Sequence, residues 1–172
     1  MNPKLILRKG AEGRILSGHP WIYRNEIDDV VGAWAPESAI AIHTRDGRFV
    51  GRGFYNPRTA IACRLLTRND EPIDLDFFRH RIEAALAYRH ELSLDTDAYR
   101  LVSSEGDQLP GLIADRYGDL VVVQCLTLGM ERNHPLILQA LESTLAPRGI
   151  FFKPDRAAQK IEGLEGVSGW LQ

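Results

Sequence analysis

Two short stretches of this 172-residue sequence concentrate rings and guanidinium groups. The first, Gly18-His19-Pro20-Trp21-Ile22-Tyr23-Arg24, carries an imidazole, an indole, a phenol and an arginine almost side by side. The second, Gly51-Arg52-Gly53-Phe54-Tyr55-Asn56-Pro57-Arg58, repeats the mixture. Flat rings stack on unpaired bases at about 1–3 kcal/mol per base, and guanidinium planes fork onto phosphates. That chemistry points to RNA, with Lys9, Arg24, Arg52, Arg58 and Arg64 as phosphate contacts and His19, Trp21 and Tyr55 as stackers. A competing reading makes Trp21 and Phe54 core anchors. The arginines are harder to bury and carry the expectation.

A third stretch, from Ser103 to Tyr117, gathers Glu105, Asp107 and Asp115 around Gly106 and Gly111. Carboxylates at a glycine-rich turn suit acid–base or metal chemistry, or else they cap backbone amides in a tight loop. No nucleophile, base and orienter accompany them, and none of the five histidines forms a pair at metal-binding spacing, so no catalytic, cofactor or metal residue is assigned. Cys63 and Cys125 lack a CxxC context and read as core thiols. Gly163-Leu164-Glu165-Gly166-Val167-Ser168-Gly169 does not open a helix after a strand, as a dinucleotide loop would, and reads as a mobile tail.

The elements that must position these residues fall into two groups. Up to Thr67 the pattern is short strands of period two: Leu5–Arg8, Ala39–His43, Phe49–Tyr55 and Thr59–Leu66, with Asp46-Gly47 as a turn. After Pro72 the period becomes helical. Asp74 or Asp76 caps a helix running to about Leu92, strands follow at Tyr99–Val102, Leu112–Asp115 and Leu120–Leu126, a second helix starts at Pro135, and a last strand covers Ile150–Lys153. The charge divides at the same place. Residues 1–72 hold eleven Lys and Arg, nine of them arginine, against eight Asp and Glu, a balance of +3; the remainder is −5. The expectation is an α+β chain of two units: a small β-barrel over residues 1–70 and an α/β layer over 73–172. Nothing in the sequence reads as a leader or a membrane span, so the expected setting is cytoplasmic, without a membrane partner.

Together, Gly18–Trp21, Gly51–Pro57, Ile73–Phe78, Tyr99–Val102, Glu105-Gly106-Asp107-Gln108-Leu109-Pro110-Gly111-Leu112 and the run to Gly118, and Lys160–Leu164 resemble the PUA-domain-containing class I methyltransferases that make 5-methylcytosine in large-subunit ribosomal RNA. The resemblance implies a PUA-like RNA-binding barrel followed by a middle α+β domain, and structured, ribosomal RNA as the partner. It also implies S-adenosylmethionine as the cofactor of the full-length family, a doubly wound catalytic domain that this chain lacks, and a cysteine that attacks C6 of the cytosine. Neither Cys63 nor Cys125 matches that cysteine, so the chain as given is expected to recognise RNA without binding a cofactor. Two rival readings stand beside it. One is a protein-interaction module, or a homodimer formed through the middle domain; the other is a small hydrolase-like enzyme using Glu105, Asp107 and Asp115.

Overall fold

The computed structural model describes residues 3–93 and 95–171. Met1 and Asn2, which open the stretch read above for a leader, lie outside them. The chain divides into two compact units, Met1–Glu71 and Pro72–Gln172.

The first unit contains β1 (Lys4–Leu7), α1 (Glu12–Leu16), β2 (Trp21–Tyr23), β3 (Ile27–Val31), β4 (Ile40–His43), β5 (Phe49–Tyr55) and β6 (Ile61–Thr67). The strands form one sheet in the order β2-β6-β5-β4-β1-β3, antiparallel except where β1 runs parallel to β4. Alternation along β1 sends Leu5 and Leu7 inward. They meet Ile15 of α1, Ile22, Ile40, Ile42, Val50, Cys63 and Leu65 in a single buried cluster. Strands from across the sheet can share one core only if the sheet curls, and the result is a half-barrel. Two glycines of β5 permit that curl. A Cβ on Gly51 would collide with the Thr67 carbonyl oxygen, and one on Gly53 with the Arg64 carbonyl oxygen, beside an irregularity in the β5–β6 register.

The second unit contains α2 (Leu75–Glu91), β7 (Ala98–Ser103), β8 (Leu112–Tyr117), β9 (Leu120–Cys125), α3 (Leu128–Arg132), α4 (His134–Leu145), β10 (Gly149–Phe152) and β11 (Gly169–Trp170). The Asp74 carboxylate accepts the Phe77 N–H at 3.1 Å and starts α2. That helix buries Phe77, Phe78, Ile82 and Ala85 and packs against α4, which buries Ile137, Ala140 and Leu141. The sheet order is β11-β10-β9-β8-β7, with β9 and β10 parallel across the α3–α4 crossover. Gly118, at φ +61°, turns β8 into β9 in two residues.

The α+β class and the half-barrel followed by an α/β layer match the reading from sequence. The stretch from Gly163 to Gly169 does not behave as a mobile tail. The buried Glu131 carboxylate accepts the Gly166 N–H at 2.8 Å and the Glu165 N–H at 3.1 Å. Gln159 Nε2 donates to the Gly166 carbonyl at 2.8 Å, and β11 pairs with β10. Glycine spacing carries no trace of a carboxylate more than thirty residues away, which is why the sequence suggested a tail. Among the described residues no helix is long and apolar enough to cross a membrane.

Candidate nucleic-acid interface

The densest cluster of the first unit is organised by Arg14, a residue of α1 outside the sequence-derived set. Its Nη2 donates to both oxygens of Glu26, at 2.8 and 2.6 Å, and to the Trp21 carbonyl at 2.9 Å. Its guanidinium lies 5.0 Å from the centre of the Tyr23 ring. Glu26 closes the loop by accepting the Tyr23 N–H at 2.7 Å. One ion pair therefore ties α1, β2 and the turn Arg24–Glu26 together. The partners stand twelve residues apart, a separation with no helical or strand periodicity to announce it.

Within this frame His19 is fixed. Its Nδ1 faces the Trp21 N–H at 3.1 Å and Arg14 Nη1 at 2.7 Å. Both neighbours are donors, so Nδ1 accepts and the ring proton sits on Nε2. The His19 ring stands edge-on to Trp21, with centres 5.5 Å apart. Trp21 is half-buried and lies opposite Arg64, which in turn lies opposite Phe54. Strand pairing thus brings Trp21, Arg64 and Phe54 into one row, with His19 at its end.

The other expected residues spread over the unit. Tyr55 packs against the core, its ring edge-on to Trp34 at 5.1 Å, and burial pushes its hydroxyl pKa up. It is a wall of the core as much as a stacker. Arg24 and Arg58 are exposed, in the turns at the end of β2 and between β5 and β6. Because β2 and β5 both run antiparallel to β6, these two arginines share one end of the sheet with Tyr55. Lys9 belongs to the opposite end. There it borders a depression of about 360 Å³ with Glu12, Arg45, Asp46 and Arg48. Arg45 and Arg48 are surface cations that the sequence reading passed over, although they flank the turn it found at Asp46-Gly47.

Arg52 sits on the outward face of β5, opposite Ala41 of β4 and Thr67 of β6. Its Nε and Nη2 both donate to Asp70 Oδ1, at 3.0 and 2.5 Å. His43 lies nearby on β4. Desolvation lowers its pKa, the Lys4 and Arg52 charges add to the effect, and Asp70 opposes it. Among the described residues its buried Nδ1 has no hydrogen-bond partner, and its ring is edge-on to Phe49 at 5.6 Å.

In the second unit the three carboxylates of the enzyme reading have separate partners. Asp107 takes a bidentate pair from Arg89, both side chains nine-tenths buried, and also accepts the Ser103 N–H at 2.6 Å. Asp115 pairs with Arg100 across β7 and β8, and Glu105 accepts the Ser104 hydroxyl at 2.6 Å. No group of three or more His, Cys, Asp or Glu suited to a metal occurs among the described residues. Cys63 and Cys125 are buried, and burial pushes both thiols up to about 12. A nucleophilic cysteine needs the reverse shift.

Comparisons with known proteins bear on this arrangement directly. Residues 5–68 match the family model of a PUA-like domain. Over 98% of its length the chain is 34% identical to the ribosomal RNA large subunit methyltransferase I of Erwinia tasmaniensis, and over 97% it is 35% identical to that of Klebsiella pneumoniae. It spans only 43% and 42% of those relatives. Among solved structures, a Streptococcus mutans protein described as a SAM-dependent methyltransferase superposes on the whole chain with a TM-score of 0.81 at 18% identity, the chain covering 43% of it. A methyltransferase complexed with SAH superposes on 98% of the chain at 0.79 and 17% identity, with 44% of that structure covered. These two show a shared fold. The resemblance read from the sequence stands: a PUA-like first unit, within a chain similar to part of the large-subunit rRNA methyltransferases.

Proposed function

We propose that this chain is the RNA-recognition portion of an S-adenosylmethionine-dependent large-subunit rRNA cytosine-C5 methyltransferase. The first unit docks structured ribosomal RNA, and the second bridges it to the machinery of methyl transfer. The observation that carries the reading is the PUA-like match of residues 5–68 within a chain one-third identical to rRNA methyltransferases along nearly all its length. Cations of the first unit supply the phosphate contacts: exposed Arg24 and Arg58 at one end, half-buried Arg52 on β5, and exposed Lys9 at the other end. Arg64 and Trp21, paired across β6 and β2, form a further patch with the His19 ring that stands edge-on to Trp21.

Methyl transfer itself is assigned to sequence outside these 172 residues. Neither thiol fits the nucleophile that methylation of a cytosine requires, because both are buried and burial pushes their pKa values up to about 12. No step through S-adenosylmethionine is derived from them.

The test is binding of the chain to large-subunit rRNA fragments across a salt series, beside a variant with Arg24, Arg52 and Arg58 all changed to alanine. Affinity should fall steeply with salt, and the variant's log–log slope should be shallower by about 2–3, near one unit for each phosphate no longer held. Absence of binding at low salt overturns the reading. The modified base is tested separately, by bisulfite sequencing of rRNA with and without the gene; an unchanged 5-methylcytosine pattern removes the cytosine-C5 assignment.

A second reading rests on the end of the second unit. Val167 is 82% exposed, Ile161 64% and Trp170 62%, and the last lies on the edge strand β11. An apolar edge strand is a template for pairing with a second copy. Sedimentation of the chain against a Trp170→Lys variant tests it; a monomer at tens of micromolar removes it.

A further inference from the structure

The first unit contains a second cavity, away from the row of Trp21, Arg64 and Phe54. It holds about 390 Å³ and is lined by Trp34, Ser38, Arg52, Ala33, Ala35 and Pro3. That volume lies within the range of small-ligand sites. Its wall combines an aromatic ring, small side chains that leave room beside the ring, and one cation. Trp34 packs against the core on the Tyr55 side, yet among the described residues its buried Nε1 has no hydrogen-bond partner. An indole N–H removed from water without an acceptor costs stability, and such groups persist chiefly where function requires them. Arg52 contributes the charge. Only two of its five N–H donors go to Asp70, and the Asp70 side chain is 69% exposed. An exposed pair of this kind contributes little and yields readily to a better anion. Lys4 and Arg52 both act on His43 as nearby positive charges, so Lys4 adds a second cation to the surroundings of that anion site.

We propose that this cavity holds one unpaired nucleotide of the bound RNA, its base against Trp34 and its phosphate on Arg52, with the Asp70 carboxylate occupying the phosphate's place in the free protein. The proposal deepens the RNA-recognition reading and rests on it. The same chemistry, a base joined to a phosphate, also describes a free mononucleotide, so the test separates the two sources.

The full chain is titrated with a nine-residue single-stranded RNA, with the same sequence as a duplex, and with the four ribonucleoside 5′-monophosphates, following tryptophan fluorescence. The single strand should quench the emission, and the duplex should quench it far less. The mononucleotides should bind at least a hundredfold more weakly. Trp34→Phe should remove the larger part of the quenching, leaving only what Trp21 contributes, and weaken single-strand binding about tenfold, within what one stacked base contributes. Arg52→Gln should weaken it and make the salt slope shallower by about 0.7. Ala33→Phe, on the exposed rim, plugs the cavity without touching the core and should reproduce the loss at an unchanged thermal midpoint. Its result therefore decides the matter if Trp34→Phe fails to fold. Wild-type affinity in both Ala33→Phe and Trp34→Phe, alongside loss in Arg24→Ala/Arg58→Ala, overturns the cavity and leaves the RNA reading standing. Equal affinity for a mononucleotide and the single strand overturns the RNA assignment of the cavity. No binding of either RNA by the wild type overturns both.

Discussion

The two units handle charge in opposite ways. In the first, most cations lie at the surface, and in a pair such as Arg52–Asp70 the acidic partner faces solvent; Arg14–Glu26 is the half-buried exception. In the second, the strongest pair, Arg89–Asp107, is nine-tenths buried, and Glu131 and Glu162 lie inside as well. Water screens the first kind of pair and leaves its members able to exchange partners. The second kind has lost its hydration and holds its geometry, because separation would strand a charge in the interior. Similar residue types therefore leave exchangeable surface pairs in one unit and build an internal frame in the other.

That contrast can be broken most forcefully in the second unit. Asp107→Ala leaves Arg89 buried and unpaired and should cost about 3–5 kcal/mol in urea denaturation. A loss below about 1 kcal/mol would place the pair with the surface ones. Glu131→Ala should cost about 2 kcal/mol, since two backbone N–H groups lose their acceptor. Hydrogen exchange should quicken at Glu165 and Gly166 first, and unchanged protection there would show that β11 alone holds the segment. In the first unit, Arg14→Ala should cost about 1–2 kcal/mol, less than Asp107→Ala because water reaches the Glu26 pair. It should also release His19, visible as a shift of its imidazole resonances. Arg52→Gln should change stability by less than about 0.5 kcal/mol, the expectation for an exposed pair, while RNA affinity falls.

The smallest effect is one of pH. His43 has a folded pKa below its unfolded value of 6.5, so below that pH the unfolded chain binds the extra proton more readily. Its contribution is fully present above 6.5 and is lost as pH falls through the unfolded and then the folded pKa. Lys4 and Arg52 favour this direction and Asp70 opposes it. Urea midpoints between about pH 7.5 and 5.5 should decline less in His43→Gln than in the wild type; parallel declines would assign the slope elsewhere.

Much of the fold was legible because local rules dominate it. The period-two strand Leu120–Cys125, the Asp74 cap and the Gly118 turn follow from neighbours a few residues apart. The short elements α1, β2, β3, α3 and β11 were not legible. Two to five residues carry too little periodicity, and tertiary pairing makes them strands or helices. For the candidate interface, the sequence named side chains and missed Arg14, which holds His19 and Glu26 in place.

By itself, then, the sequence determined the chemical inventory, the change of period at Pro72, the charge division and the α+β class, all properties of composition and short-range pattern. Only the tertiary structure decided that Arg14 holds His19 and Glu26, that Tyr55 supports the core, that Glu131 pins the C-terminal stretch, and that Trp34 and Arg52 line one cavity. Each of these joins residues at least five apart, and most are far more distant. Whether such groups meet depends on how the sheet curls and which strands pair, and that is set by the burial of the whole core at once.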